Sequence, residues 1–231
     1  MRRLLPDPSD DVDPRMTYAL PAGVDRHVRV NLVASADGGV TVEGRSGGLS
    51  SPADRLVFRT LRSLCDVVLV GAGTVRAENY GGARPDDDGR VPVIAIVSAS
   101  GALDPASRVF TETTRRPIVV TTAAASDALD SVADVVIAGE SAVDLGVALD
   151  ALALHGLGRV LCEGGPRLFG SLAAAGLVDE LCLTVAPLLV GAGAIGRIVG
   201  GDAFSPPLPL GLGHVLEEDG YLFLRYSTGA D

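Results

Sequence analysis

Two short glycine-rich stretches carry the residues best suited to chemistry. One reads Val68-Leu69-Val70-Gly71-Ala72-Gly73-Thr74-Val75-Arg76, the other Val160-Leu161-Cys162-Glu163-Gly164-Gly165-Pro166. Each runs from an apolar strand-like segment through glycines into a helix-like one. Glycines at such a turn let the backbone approach a pyrophosphate, and the following helix offers free N–H donors and partial positive charge. The competing reading is a pair of ordinary tight turns. Counting from Gly71, the sixth position is Arg76, where a standard dinucleotide-binding fingerprint needs Gly or Ala, so that domain type is disfavoured. Glu163 closes an otherwise apolar run. A carboxylate there is costly unless it is paired, bonded to the N–H groups of its own turn, or bound to a ligand. Asp37-Gly38-Gly39 follows an earlier apolar run in the same way, although Asp-Gly is also an everyday turn pair.

What the chain lacks narrows the chemistry further. All 19 basic residues are Arg, so a lysine Schiff base, lysine-anchored pyridoxal phosphate and the Walker lysine are excluded. A phosphate must therefore be held by Arg, hydroxyls, backbone N–H groups or helix termini. The net charge of −10, with no basic stripe, argues against nucleic acid as a partner. Cys65, Cys162 and Cys182 are odd in number, widely spaced and set in apolar runs. They read as buried free thiols in a reducing compartment, not a disulfide framework or a metal site. The start Met1-Arg2-Arg3-Leu4-Leu5 is cut short by Pro6 and acids, so no signal peptide is expected. No apolar run reaches membrane-spanning length, which leaves the cytoplasm as the expected location.

The elements that must position these residues follow from hydrophobic patterning. Residues 1–26 hold four prolines and an acidic cluster (Asp7, Asp10, Asp11, Asp13) and read as an irregular N-terminal arm. Residues 27–231 read as one domain. Strands are expected at Val28–Ala34, Asp66–Val70, Val91–Val97, Pro117–Thr121, Asp134–Ala138, Arg159–Cys162, Asp179–Ala186, His214–Glu217 and Tyr221–Tyr226. Helices are expected at Ser51–Leu64, from Thr74, around Ser126–Ser131, and at Asp144–His155 and Pro166–Ala175. Repeated βα units imply a mostly parallel sheet between two helical layers, and Asp219-Gly220 marks a closing antiparallel hairpin.

In this order the motifs resemble those of one family. Asn31-Leu32-Val33-Ala34-Ser35-Ala36-Asp37-Gly38 comes first, and Gly71 through Asn79 follows. Glu163-Gly164-Gly165-Pro166 comes next, then Leu177-Val178-Asp179-Glu180-Leu181 and Ala186-Pro187. The run is similar to the pyrimidine reductases of riboflavin biosynthesis, the reductase half of bifunctional deaminase–reductases, from about residue 27 to 227. The resemblance implies an α/β fold of dihydrofolate-reductase-like type, a three-layer α/β/α arrangement with a mostly parallel sheet. It also implies NADPH as hydride donor, a phosphorylated pyrimidine substrate whose ribose becomes a ribityl chain, and a homodimer. The deaminase half is absent, since no His-x-Glu stands with a Pro-Cys-x-x-Cys.

Carried over by position, Gly71, Gly73, Thr74 and Val75 would line the cofactor pyrophosphate. Glu163, Gly164 and Gly165 would lie where cofactor and substrate meet, and Thr121 and Thr122 are candidates for the adenosine 2′-phosphate. Asn31, Ser35, Asp37, Arg62, Asn79 and Arg84 would face the substrate, with Arg62 toward its phosphate. Glu163, Glu78 and Asp37 are the candidate catalytic groups, and no metal is expected. The sequence departs from the family at Asn31, where Lys is usual, at Asn79-Tyr80 in place of Asp-Pro, and at Leu49 in place of a frequent Trp. The rival readings are a pterin-type or other small carbonyl or imine reductase on the same fold, and a non-catalytic nucleotide-binding protein.

Overall fold

The computed structural model describes residues 1–86, 88–125, 129–191 and 196–229. Its frame is a sheet of ten strands in the order β1-β9-β10-β8-β2-β7-β3-β4-β5-β6. The parallel strands are β2 (His27–Ser35), β3 (Val67–Gly71), β4 (Val93–Val97), β5 (Ile118–Thr121), β6 (Asp134–Ile137), β7 (Arg159–Cys162) and β8 (Glu180–Ala186). The hairpin of β9 (Gly211–Glu218) and β10 (Tyr221–Ser227) adds antiparallel strands beside β8. The α/β class and the closing hairpin thus agree with the sequence reading.

Alternating side chains of the central strands feed two cores. Val28, Val30, Val67, Leu69, Val93 and Ala95 pack under α5 (Leu145–Leu154) and α6 (Pro166–Ala174). Val68, Val70, Ile94 and Ile96 pack under α2 (Pro52–Ser63) and α3 (Ala72–Ala77) on the other face. This period-two division is what burial of both faces of a parallel sheet demands.

The first 26 residues differ from the expected irregular arm. Arg2–Leu5 forms β1, which pairs antiparallel with β9 and caps one edge of the sheet. Pro14–Thr17 forms a single helical turn, α1, capped by Asp13, and Tyr18 is 1% exposed beneath the sheet. A short helix at Arg108–Thr111, α4, was likewise not expected. Residues 126–128 of the expected helical segment around Ser126–Ser131 lie outside the described residues.

Candidate functional site

Three elements converge on Glu163. Helix α2 starts on Ser51, whose hydroxyl accepts from the Asp54 N–H at 3.0 Å, with Pro52 in the first turn. Its inward stripe of Ala53, Val57 and Leu61 sets Arg62 on the flank of its last turn. Arg62 grips Glu163 with both arms, Nε to Oε1 and Nη2 to Oε2, each at 2.7 Å. From the loop after α3, the Tyr80 hydroxyl accepts from Arg62 Nη2 at 2.6 Å and donates to Glu163 Oε2. The guanidinium also lies 4.3 Å from the Phe58 ring centre and 5.6 Å from that of Tyr80.

The Glu163 side chain is 5% exposed, so the pair meets in a medium where charge and hydrogen bonding count heavily. Burial opposes the charge on Arg62, but Glu163 more than offsets it and holds the guanidinium above its usual range. Burial, and then the neighbouring Glu163, push the Tyr80 phenol well above its usual value, so it stays protonated and remains a donor.

Asn31 of β2 follows Val30, which the β2–β7 register sets beside Cys162, the residue before Glu163. Asn31 Oδ1 is buried with no hydrogen-bond partner among the described residues.

The two glycine loops touch each other beside this centre. The Gly71 N–H donates to the Gly164 carbonyl at 2.8 Å, and the Glu163 N–H to that of Leu69 at 3.0 Å. Gly164 has φ +86°, a conformation that only glycine adopts without strain, and the Gly164–Gly165 peptide is cis. A Cβ on Gly165 would stand 2.6 Å from Thr74 Oγ1, so a larger residue there would close the space between the loops.

These loops fit a pyrophosphate on two observations. Neither the start of α3 at Gly71 nor that of α6 at Gly165 has a side-chain cap, which leaves first-turn N–H groups unspent. A Cβ on Gly73 would meet nothing within 4 Å among the described residues, so a ligand can reach the backbone there. Val75 is buried in the core and can contribute only its backbone.

Other expected site residues are placed differently. Thr121 and Thr122, expected to hold a phosphate, are 0% and 2% exposed, and their hydroxyls donate to the carbonyls of Ser98 at 2.7 Å and Ala99 at 3.1 Å. Their hydroxyls tie the end of β5 to the chain leaving β4. Asp37 accepts from the Ser35 hydroxyl at 2.5 Å and from the N–H groups of Val190 and Gly191 at 3.2 and 2.8 Å. The Ser35 hydroxyl first, then those N–H groups, hold the Asp37 carboxyl below its usual range. It anchors the loop after β8 as a hydrogen-bond acceptor, where the sequence reading expected a catalytic group facing the cleft. Ser35 is buried, and its hydroxyl accepts from the Gly39 N–H at 2.9 Å within the same turn.

Glu78, Asn79 and Arg84 are brought together with Arg62. They line a groove of about 770 Å³ that also includes Phe58, Arg59 and Tyr80. Glu78 accepts from the Ser46 N–H at 2.9 Å, and Asn79 sits at φ 49° just past the end of α3. The sequence reading missed Tyr80, Phe58 and Arg59 as site residues. Tyr80 was visible only as a departure from the family pattern, while Phe58 and Arg59 resemble any other residues of an amphipathic helix.

Burial pushes the Cys65 and Cys162 thiols up to about 12, and that of Cys182 well above its usual value. All three are free and buried, which makes them poor nucleophiles. Among the described residues no cluster of metal-ligating side chains occurs, and no helix is long and apolar enough to cross a membrane.

A family model described as the RibD C-terminal domain matches residues 26–217. The 2,5-diamino-6-ribosylamino-4(3H)-pyrimidinone 5′-phosphate reductase of Methanothermobacter thermautotrophicus is 30% identical over 185 residues, 76% of this chain and 84% of that protein. The riboflavin biosynthesis protein RibD of Bacillus amyloliquefaciens is 32% identical over 77% of this chain, which spans 50% of that longer protein. Among solved structures, a pyrimidine reductase-like protein from Corynebacterium diphtheriae superposes with a TM-score of 0.80 at 27% identity, covering 94% of this chain and 99% of that one.

Proposed function

The chain belongs to the RibD C-terminal domain family, and on that premise we propose that it is an NADPH-dependent pyrimidine reductase of riboflavin biosynthesis. Its substrate is a 5-amino-6-(5-phosphoribosylamino)pyrimidine, whose ribose it reduces to a ribityl chain. The named activity of relatives matched over most of their length supports the reaction class. The observation that carries the reading is the contact of two uncapped glycine loops beside an arginine-held carboxylate. Gly71 and Gly164 meet at 2.8 Å where Glu163 is gripped by Arg62 and Tyr80.

NADPH, when bound, supplies the hydride. The protein's part is orientation. Backbone N–H groups at Ala72–Thr74 and Gly165 would hold the pyrophosphate, and Glu163 and Asn31 would offer hydrogen-bond acceptors to the ribose hydroxyls. Arg84 and Arg59 give the groove positive charge for the substrate phosphate. Glu78 stands in the groove for proton transfer, whereas Asp37 stays an ionised anchor.

The assay is NADPH oxidation with the amino and the deaminated forms of the pyrimidine phosphate. Oxidation with formation of the ribityl product is expected. NADPH binding without oxidation of either form overturns the proposal. Turnover is expected to fall at least about a hundredfold in Glu163→Gln, a loss typical of a group acting on the reacting atoms.

We extend the proposal to a homodimer in the cytoplasm. Three free thiols favour a reducing compartment. Leu208, Leu210 and Leu212, each 45–47% exposed, supply an apolar run for a second copy. Sedimentation of the purified chain tests the dimer.

A further inference from the structure

Tyr80 occupies a position that the sequence marks as unusual, and its contacts are equally specific. Its hydroxyl touches both members of the Arg62–Glu163 pair, while its ring lies against the guanidinium. A carboxylate has two oxygens with about four acceptor positions. Arg62 Nε takes one on Oε1, and Arg62 Nη2 and Tyr80 take two on Oε2. Among the described residues, Glu163 is left with one acceptor position, and it lies on Oε1.

We propose that Tyr80 is a positioning residue, whose hydroxyl occupies Glu163 Oε2 and so presents the carboxylate to the substrate through a single directed acceptor on Oε1. The inference rests on the reductase reading given above and deepens it. The group that Oε1 receives must be a donor, a hydroxyl or an amine. An anionic or purely acceptor group at that point meets a second acceptor and is repelled. Without the Tyr80 hydroxyl, the second acceptor position of Oε2 becomes available to water or substrate, while Arg62 still holds the carboxylate by both oxygens.

A double-mutant cycle tests this on the NADPH-loaded full chain. Tyr80→Phe keeps the ring over Arg62 and removes only the hydroxyl. Turnover is expected to fall about tenfold, as for one hydrogen bond to a charged group, with the KM for NADPH changed less than about twofold. In the Glu163→Gln background the same change is expected to cost less than about twofold, because the residue through which Tyr80 acts is already lost. Losses that multiply, or an undiminished Tyr80→Phe, overturn the proposal.

A second measurement needs no substrate. In protein labelled with carboxyl-¹³C glutamate, the resonance that disappears in Glu163→Gln is that of Glu163. Its movement in Tyr80→Phe supports the proposal, and an unmoved resonance overturns it. A moved resonance in a parent chain that turns over no pyrimidine overturns the substrate reading alone.

Discussion

Asn31 Oδ1 is buried and makes no hydrogen bond among the described residues, and such an acceptor costs stability of about 1–3 kcal/mol. A folded chain tolerates that cost most readily where a ligand removes it. Asn31→Leu has similar volume and no polar atom, so its thermal midpoint is expected to rise by about 2–4 °C for each kcal/mol regained. Its KM for the pyrimidine should rise at the same time. A lower midpoint with unchanged kinetics would make Asn31 a structural residue. Thr121 presents the opposite case, because its hydroxyl is sealed against the Ser98 carbonyl inside the protein. Thr121→Val is expected to cost about 1 kcal/mol in urea denaturation and to leave NADPH affinity unchanged in a fluorescence titration. A large loss of affinity would restore its phosphate-binding role. These two residues show where sequence reading stops. The residue type within a strand is legible, but the face it points from depends on register and on neighbours distant in the chain. Arg62 shows the same limit, since nothing local to α2 reveals that its guanidinium is held by a carboxylate 101 residues away.

Strands and helices were legible wherever burial imposes a period. The runs at Val67–Gly71 and Arg159–Cys162 are short, apolar and β-branched or leucine-rich, and each ends at glycine or Glu-Gly. Strand β1 was not legible, because four residues beside prolines and acids carry no periodic signal, and only the edge of β9 makes them extended. Glycines show a comparable division. Gly164 is expected from its turn, whereas Gly170 lies inside α6, where helix propensity alone favours Ala. Its reason is tertiary. A Cβ there would stand 1.9 Å from the Gly200 carbonyl oxygen, and the Gly200 N–H in turn donates to the Pro166 carbonyl at 2.9 Å. The close approach locks the segment around Gly200 onto the start of α6, beside the Gly165 loop. Gly170→Ala is therefore expected to destabilise the protein by about 1–3 kcal/mol despite better helix propensity. Urea denaturation checks the sign, and a more stable variant would show that the segment yields without cost.

At the scale of the whole molecule, one buried cluster joins the N-terminal residues to the far end of the chain. Glu180 is bound by Arg29 and by Arg225 at 2.7 Å, and these two arginines reach back to the carbonyls of Tyr18 at 2.9 Å and Thr17 at 3.3 Å. The Tyr18 ring meets His214 of β9 edge-on at 4.8 Å between centres. Strand β1 and the Met1 ammonium, 2.7 Å from Glu218, pin the same residues from outside. Acid should undo this join in two stages. Burial first, and then Arg225, lower the His214 pKa from 6.5 to about 4. The unfolded chain therefore takes up a proton that the folded one refuses, so this contribution is complete above pH 6.5 and is lost as pH falls toward 4. The Glu180 carboxyl is also lowered, because His27 and the two arginines outweigh the cost of its burial. Its contribution stands above pH 4.5 and is lost below it. Urea denaturation followed by circular dichroism should show constant stability above pH 7. A loss of about 2 kcal/mol is then expected between pH 6.5 and 4, with a steeper fall below. His214→Phe keeps a ring against Tyr18 and cannot be protonated, so only the first loss should vanish. An unchanged slope between pH 6.5 and 4 in that variant would assign the acid sensitivity to groups outside this cluster.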